Sequence, residues 1–145
     1  MAKKTSRFKV DRKKIVALFG KVNTQVYDWF GSDVRKKAKA SIKNPTKSRK
    51  TSDPGEPPVN RTGALKNLIF YELDETRGVV IGPARFKGRS QGAKALEYGG
   101  KSTAKINKKK RAVRVKKRLF MQPAHEKVLK TLPDKYRRAG QKYFK

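Results

Sequence analysis

Apolar residues recur at intervals of three and four along the first third of the chain, and this spacing predicts one long helix. Asp11 is a suitable N-cap, because its side chain can accept a hydrogen bond from a backbone N–H group of the first turn. Asn44-Pro45 ends the pattern at about residue 43, because a residue before proline avoids the helical region. Gly31 lies inside the pattern, where we expect a bend or a break. The predicted apolar stripe consists of Ile15, Leu18, Phe19, Val22, Val26, Trp29, Phe30, Val34 and Ala38.

Shorter patterns follow in the middle of the chain. Residues 65–73 and 79–82 have strand character, and the polar segment 74–78 between them predicts a hairpin. Residues 93–98 predict a short helix, which Gly99 and Gly100 end.

The last part of the chain predicts one more strand and a C-terminal helix. Residues 112–120 alternate apolar and basic side chains, as a strand does. The helix is expected from about Gln122, with Pro123 in its first turn. Pro133 either kinks this helix or opens a second one. The predicted fold is therefore α+β, a small and mainly antiparallel sheet flanked by a long N-terminal helix and a C-terminal helix.

Three segments are predicted to lack regular structure within a single domain covering residues 1–145. Residues 1–10 form a basic arm, residues 44–60 a long loop rich in proline, and residues 101–111 a basic loop. A loop as long as 44–60 is uncommon in a compact domain and is often functional.

The formal net charge of +29 indicates a polyanionic partner. The charge is uneven, because residues 53–83 carry 5 acidic and 3 basic side chains, whereas residues 101–118 carry ten basic side chains and no acid. No aromatic residue lies in 101–118, which argues against stacking on bases. DNA contacts there would reach phosphates alone, without sequence preference.

Few residues suggest catalysis or metal binding. The chain has no cysteine, and its only histidine, His125, is expected on a helix surface. Glu97 is expected to be an intramolecular or intersubunit counter-ion to a lysine or arginine. Tyr98 is expected in the core, with an interface position as the alternative. We therefore predict no enzyme activity, no cofactor and no metal site. The chain also has no apolar run long enough to cross a membrane, so no membrane partner is expected.

Four segments in a fixed order suggest a family. PGEPP at 54–58, RTGAL at 61–65, LEYGG at 96–100 and FMQPAHEK at 120–127 resemble the bacteriophage tail-completion or head–tail joining proteins, which include relatives of the minor tail protein Z. The resemblance covers about residues 53–133. It implies a structural virion protein at the neck of a long-tailed phage, forming a ring, expected to be a hexamer, around the DNA path.

The resemblance also implies partners and a location. The partners are further copies of the chain, neighbouring neck and tail proteins (connector or stopper, tail terminator, tail tube) and genomic double-stranded DNA. The location is the virion neck at the top of the tail, with assembly in the host cytoplasm. The alternative from composition is a free basic protein that binds nucleic acid without sequence preference.

Two sets of residues are the candidates for these contacts. The candidates for lining a DNA channel are Lys108, Lys109, Lys110, Arg111 and Arg114. The candidates for subunit or partner interfaces are Pro54, Gly55, Glu56, Pro57, Pro58, Glu72, Asp74 and Glu75.

Overall fold

Helices and antiparallel strands alternate along the chain in the computed structural model, which confirms the predicted α+β class. The structure describes residues 11–46, 51–61, 63–75, 78–84, 91–106 and 109–144. The expected basic arm 1–10 and the DNA candidate Lys108 lie outside the described residues. The elements are α1 (Arg12–Ser41), α2 (Ala64–Asn67), β1 (Ile69–Asp74), β2 (Gly78–Pro83), α3 (Gln91–Tyr98), β3 (Gly100–Ile106), β4 (Lys109–Val115), α4 (Met121–Leu129) and α5 (Leu132–Tyr143).

Helix α1 begins at the predicted cap. The Asp11 carboxylate accepts a hydrogen bond from the Lys14 backbone N–H at 3.2 Å, which satisfies one of the free donors of the first turn. The helix ends at Ser41, because Ile42 has an extended backbone conformation. It is continuous through Gly31, so the break expected there is wrong.

Gly31 is needed for packing. A Cβ atom at this position would lie 2.4 Å from Cδ2 of Tyr71 and 2.9 Å from Cγ2 of Val79. The hairpin formed by β1 and β2 therefore sits directly on the helix backbone at Gly31, and any larger residue would force it away.

Helix α1 carries the core along one side. Its C-terminal half packs against β1 and α4 in a cluster formed by Phe30, Val34, Ala38, Ile42, Ile69, Phe120, Ala124 and Val128. Farther towards the N-terminus, Val22 and Val26 pack against Ala139 of α5. The first turns of the predicted stripe are outside the core, since Ile15 is 38% and Phe19 54% exposed.

The strands form two separate antiparallel pairs in the described part of the chain, instead of the one sheet expected. Strand β1 pairs with β2, and β3 pairs with β4. The predicted strand at 65–73 starts only at Ile69, because residues 64–67 form the helical turn α2. The predicted strand at 112–120 is the second half of β4 and ends at Val115.

The expected basic loop at residues 101–111 is wrong, because most of it belongs to the β3–β4 hairpin. Lysine-rich sequence has low strand propensity. The backbone hydrogen bonds between β3 and β4 stabilise strands that the local sequence does not favour.

Two C-terminal helices close the fold. Pro133 lies in the first turn of α5, so the second of the two predicted alternatives is the observed one. The Lys135 ammonium group lies 2.7 Å from the Asp33 carboxylate and 5.5 Å from the Trp29 ring centre. These contacts fix α5 against α1.

Gly31→Ala is expected to lower the free energy of unfolding by about 2 kcal/mol, because the added methyl overlaps the Tyr71 ring. Gly20→Ala on the same helix is the control, since a Cβ there meets nothing within 4 Å. It should raise stability by up to about 1 kcal/mol through helix propensity. Equal effects of the two substitutions in urea unfolding would contradict the packing role of Gly31.

Candidate functional site

The Glu97 carboxylate joins two of the segments that carry the family resemblance. Its Oε2 accepts hydrogen bonds from the backbone N–H groups of Phe120 at 2.9 Å and Met121 at 3.1 Å, and its Oε1 accepts one from Gln122 at 2.8 Å. Glu97 is only 6% exposed. Within the described part of the chain its partners are the free backbone donors at the start of α4, so the expected intramolecular pairing with a lysine or arginine is wrong there.

The proline-rich loop is attached to the same junction. The Gly55 backbone N–H donates to the Lys117 carbonyl oxygen at 2.8 Å, and Gly55 has a φ of +90° that favours glycine. The Arg118 Nε donates to the Ser52 hydroxyl oxygen at 2.9 Å. The Arg118 backbone N–H donates to the Leu96 carbonyl oxygen at 2.7 Å. Residues 117–118 therefore link the loop to both α3 and the entry to α4.

The fourth segment, RTGAL at 61–65, also contributes to the packed part of the chain. Gly63 has a φ of +74° and precedes α2. Leu65 then packs against the core cluster that contains Phe120. Three of the four segments are thus joined at the entry to α4, and the fourth reaches the core cluster through Leu65.

The candidate interface loop is only partly available to a partner. Pro54, Gly55 and Glu56 are exposed, Pro57 is half-buried and Pro58 is buried. The first three residues are therefore the part of PGEPP that presents a surface.

The β3–β4 hairpin presents the positive charge. The described DNA candidates Lys109, Lys110, Arg111 and Arg114 are all exposed and lie on β4. The strand register places Lys101 of β3 opposite Arg114. Sequence analysis missed Lys101 as a candidate, because only the hairpin register brings these two side chains together.

The acidic candidates lie at the other hairpin. Glu72 and Glu75 are exposed, whereas Asp74 is half-buried. At the same hairpin the Tyr71 hydroxyl donates a hydrogen bond to the Asp28 carboxylate at 2.9 Å. This bond, together with desolvation, raises the pKa of Tyr71 above its ordinary value and ties β1 to α1.

Other residues considered for chemistry have structural positions. His125 is exposed on α4, as predicted, and its ring meets the Phe30 ring edge-on with a centroid distance of 5.5 Å. Tyr98 is 71% exposed, so its predicted place in the core is wrong. Among the described residues, no group of three or more acidic or histidine side chains could hold a metal ion. None of the described helices is long and apolar enough to cross a membrane.

Glu97→Ala should destabilise the fold by about 2–4 kcal/mol, because three backbone donors at the start of α4 lose their acceptor. Glu97→Gln keeps one oxygen acceptor and should cost less. Glu126→Ala removes an exposed carboxylate from the same helix and should change stability by about 0.5 kcal/mol or less. Chemical unfolding followed by circular dichroism measures all three, and a Glu97→Ala variant as stable as Glu126→Ala would exclude the capping role.

Comparison of the chain with protein-family models, with curated proteins and with solved structures finds no match. The function is therefore inferred from the residues and contacts of the chain itself.

Proposed function

We propose that the chain is a structural virion protein that completes the tail or joins head to tail at the neck of a long-tailed bacteriophage. The observation that carries this proposal is that PGEPP, LEYGG and FMQPAHEK are joined by hydrogen bonds at the entry to α4, while Leu65 of RTGAL packs against the core cluster that contains Phe120. The Glu97 carboxylate accepts from the backbone at the start of α4, and the Arg118 backbone N–H donates to the Leu96 carbonyl oxygen. The Gly55 backbone N–H joins PGEPP to the same junction through the Lys117 carbonyl oxygen. These segments are far apart in sequence but come together in the fold. This supports the interpretation that the chain resembles the family in its fold and not only in its composition.

In this proposal, copies of the chain form a ring, expected to be a hexamer, around the DNA path. Identical subunits with a net charge of +29 repel one another. A head-to-tail contact can offset this repulsion if the exposed acids at the β1–β2 hairpin of one copy face a basic surface of the next. Ring neighbours would be the connector or stopper, the tail terminator and the tail tube. The location would be the virion neck, after assembly in the host cytoplasm.

A second candidate function is a free basic protein that binds nucleic acid without sequence preference. The exposed cations of the β3–β4 hairpin favour it, because they need only a polyanion and no assembly. Oligomeric state separates the two functions.

Mass photometry and negative-stain images of the purified chain should show rings, either alone or after isolated tail tubes are added. Tails assembled without the chain should fail to join heads, and adding the protein should restore joining. A chain that stays monomeric, leaves tail tubes bare and does not restore joining would contradict the proposal and favour the second candidate.

Glu72→Lys/Glu75→Lys should weaken ring formation or tail joining, because it removes the exposed acids that would face a neighbouring copy. Thermal unfolding of the monomer should change little, since both residues are exposed. Glu126→Lys/Asp134→Lys changes the net charge equally through exposed acids on α4 and α5 and serves as the control. If both double variants assemble equally well at physiological salt, the acidic hairpin is not a ring contact.

A further inference from the structure

The β3–β4 hairpin has two different faces. Residues directly opposite in an antiparallel pair project from the same face, and alternate residues along a strand project from opposite faces. The register pairs Lys101 with Arg114 and Thr103 with Ala112. These four residues and Lys110 share one face and are all exposed. We call this set the solvent face.

The opposite face is turned partly towards the rest of the chain. Ser102, Val113 and Val115 on it are half-buried. Lys109 and Arg111 lie on the same face nearer the hairpin tip and are exposed. The consecutive cations 109–111 are therefore divided between the two faces.

The hairpin projects from the fold. Among the helices and strands that the structure describes, α3 is the element against which β3 packs substantially. The first four residues of β4, which lie nearest the hairpin tip, are all exposed: Lys109, Lys110, Arg111 and Ala112. A projecting ribbon can approach a large partner without obstruction from the core.

The charges on the solvent face destabilise the pairing of β3 with β4. Lys101 and Arg114 are directly opposite each other, and like charges in that position destabilise a strand pair. No acidic residue lies between 101 and 118 to relieve the repulsion locally. A polyanion lying on this face would neutralise these cations and so remove the repulsion between them. The small residues Thr103 and Ala112 at the centre leave room for close approach.

The dimensions of this face fit a duplex. Lys110 and Arg114 are four residues apart on β4, so their Cα atoms lie about 14 Å apart along the strand. The major groove of B-DNA is about 12 Å wide and admits a two-stranded ribbon. A ribbon across the groove would place cations at both of its phosphate edges. The sequence 101–118 has no aromatic side chain to stack on the bases of a single strand.

We propose that the β3–β4 hairpin binds double-stranded DNA as a ribbon lying across the major groove, with Lys101, Lys110 and Arg114 on the phosphates. The identity of the duplex partner rests on the proposed function, in which DNA passes the subunit. The ribbon specifies which face of the hairpin makes the contact and which groove it enters.

The test compares two double variants of equal charge on opposite faces. Lys110→Ser/Arg114→Ser changes the solvent face, and Lys109→Ser/Arg111→Ser changes the opposite face. The first should reduce the slope of log K against log salt by about 2 and weaken duplex binding about 30-fold at physiological salt. The second should reduce the slope by less than about 1, since it removes general charge without a phosphate contact. Adding Lys101→Ser to the first should lower the slope once more by about 1.

Further measurements identify the groove that the hairpin contacts and test whether the variants are folded. Methyl green, which occupies the major groove, should displace the protein from a random-sequence duplex, whereas netropsin, which occupies the minor groove, should not. The swapped variant Lys110→Arg/Arg114→Lys keeps both charges and should bind as wild type. No variant should melt below the wild type in circular dichroism, because the replaced side chains are exposed and the solvent-face changes remove like charges that lie opposite each other.

Equal loss of binding from the two faces, or displacement by netropsin alone, would overturn the ribbon. Either result could be found for a wild-type chain that still forms rings and binds DNA. In that case the proposed contact of the hairpin with the major groove is wrong, and the proposed function stands. If face-specific duplex binding is found for a chain that forms no rings and joins no tails, the ribbon stands and the free nucleic-acid-binding function replaces the neck function.

Discussion

The buried carboxylate of Glu97 is the interaction on which the arrangement of the C-terminal half depends. It accepts three backbone hydrogen bonds at the start of α4 while being 6% exposed. The positive end of the helix dipole stabilises the negative charge, so a cation is not required beside it. Since Glu97 lies in the last turn of α3 and bonds the backbone of the core residue Phe120, one side chain fixes the position of α3 relative to α4.

That constraint also decides where the proline-rich loop and the basic hairpin lie. Arg118, two residues before Phe120, donates to Leu96 through its backbone and to Ser52 through its side chain. Strand β3 starts at Gly100, three residues after Glu97, so the hairpin leaves from the same junction. Displacing the carboxylate would therefore alter the loop surface and the direction of the basic ribbon together.

The two hairpins have opposite relations to the core. The β1–β2 hairpin is pressed onto α1 at Gly31, and the hydrogen bond from Tyr71 to Asp28 holds it there. The β3–β4 hairpin projects and carries like charges opposite each other. The first hairpin is stabilised by the fold, whereas the second gains most from a partner of opposite charge.

These differences explain what the sequence could and could not predict. The start of α1 followed from Asp11, because a cap acts over a few residues. Asn44-Pro45 predicted the end of the helix only approximately, since the helix ends at Ser41 and not at about residue 43. The sequence predicted a bend or a break at Gly31, whereas this glycine leaves room for Tyr71 in a continuous helix. That contact joins residues far apart in sequence, so local propensity does not indicate it. The loop predicted at 101–111 was wrong for a similar reason, because strand pairing outweighed the low propensity of lysine. Glu97 was assigned a cationic partner because backbone donors cannot be recognised from side-chain composition.

The positive charge of the proposed ring can be compared with the number of phosphates on the DNA that it would enclose. In the proposed hexamer, the subunits would carry about 174 formal positive charges, whereas a duplex about 40 Å long offers about 24 phosphates at one per 1.7 Å. The three cations of the solvent face, repeated in six copies, number about 18, which is the scale of the phosphates present. The remaining charge far exceeds the DNA and must be balanced by acidic partner proteins, by the acidic hairpins of neighbouring copies or by solvent ions. In the proposed ring, a narrow set of residues on one hairpin would therefore suffice for the DNA, and the rest of the positive surface would be available for assembly.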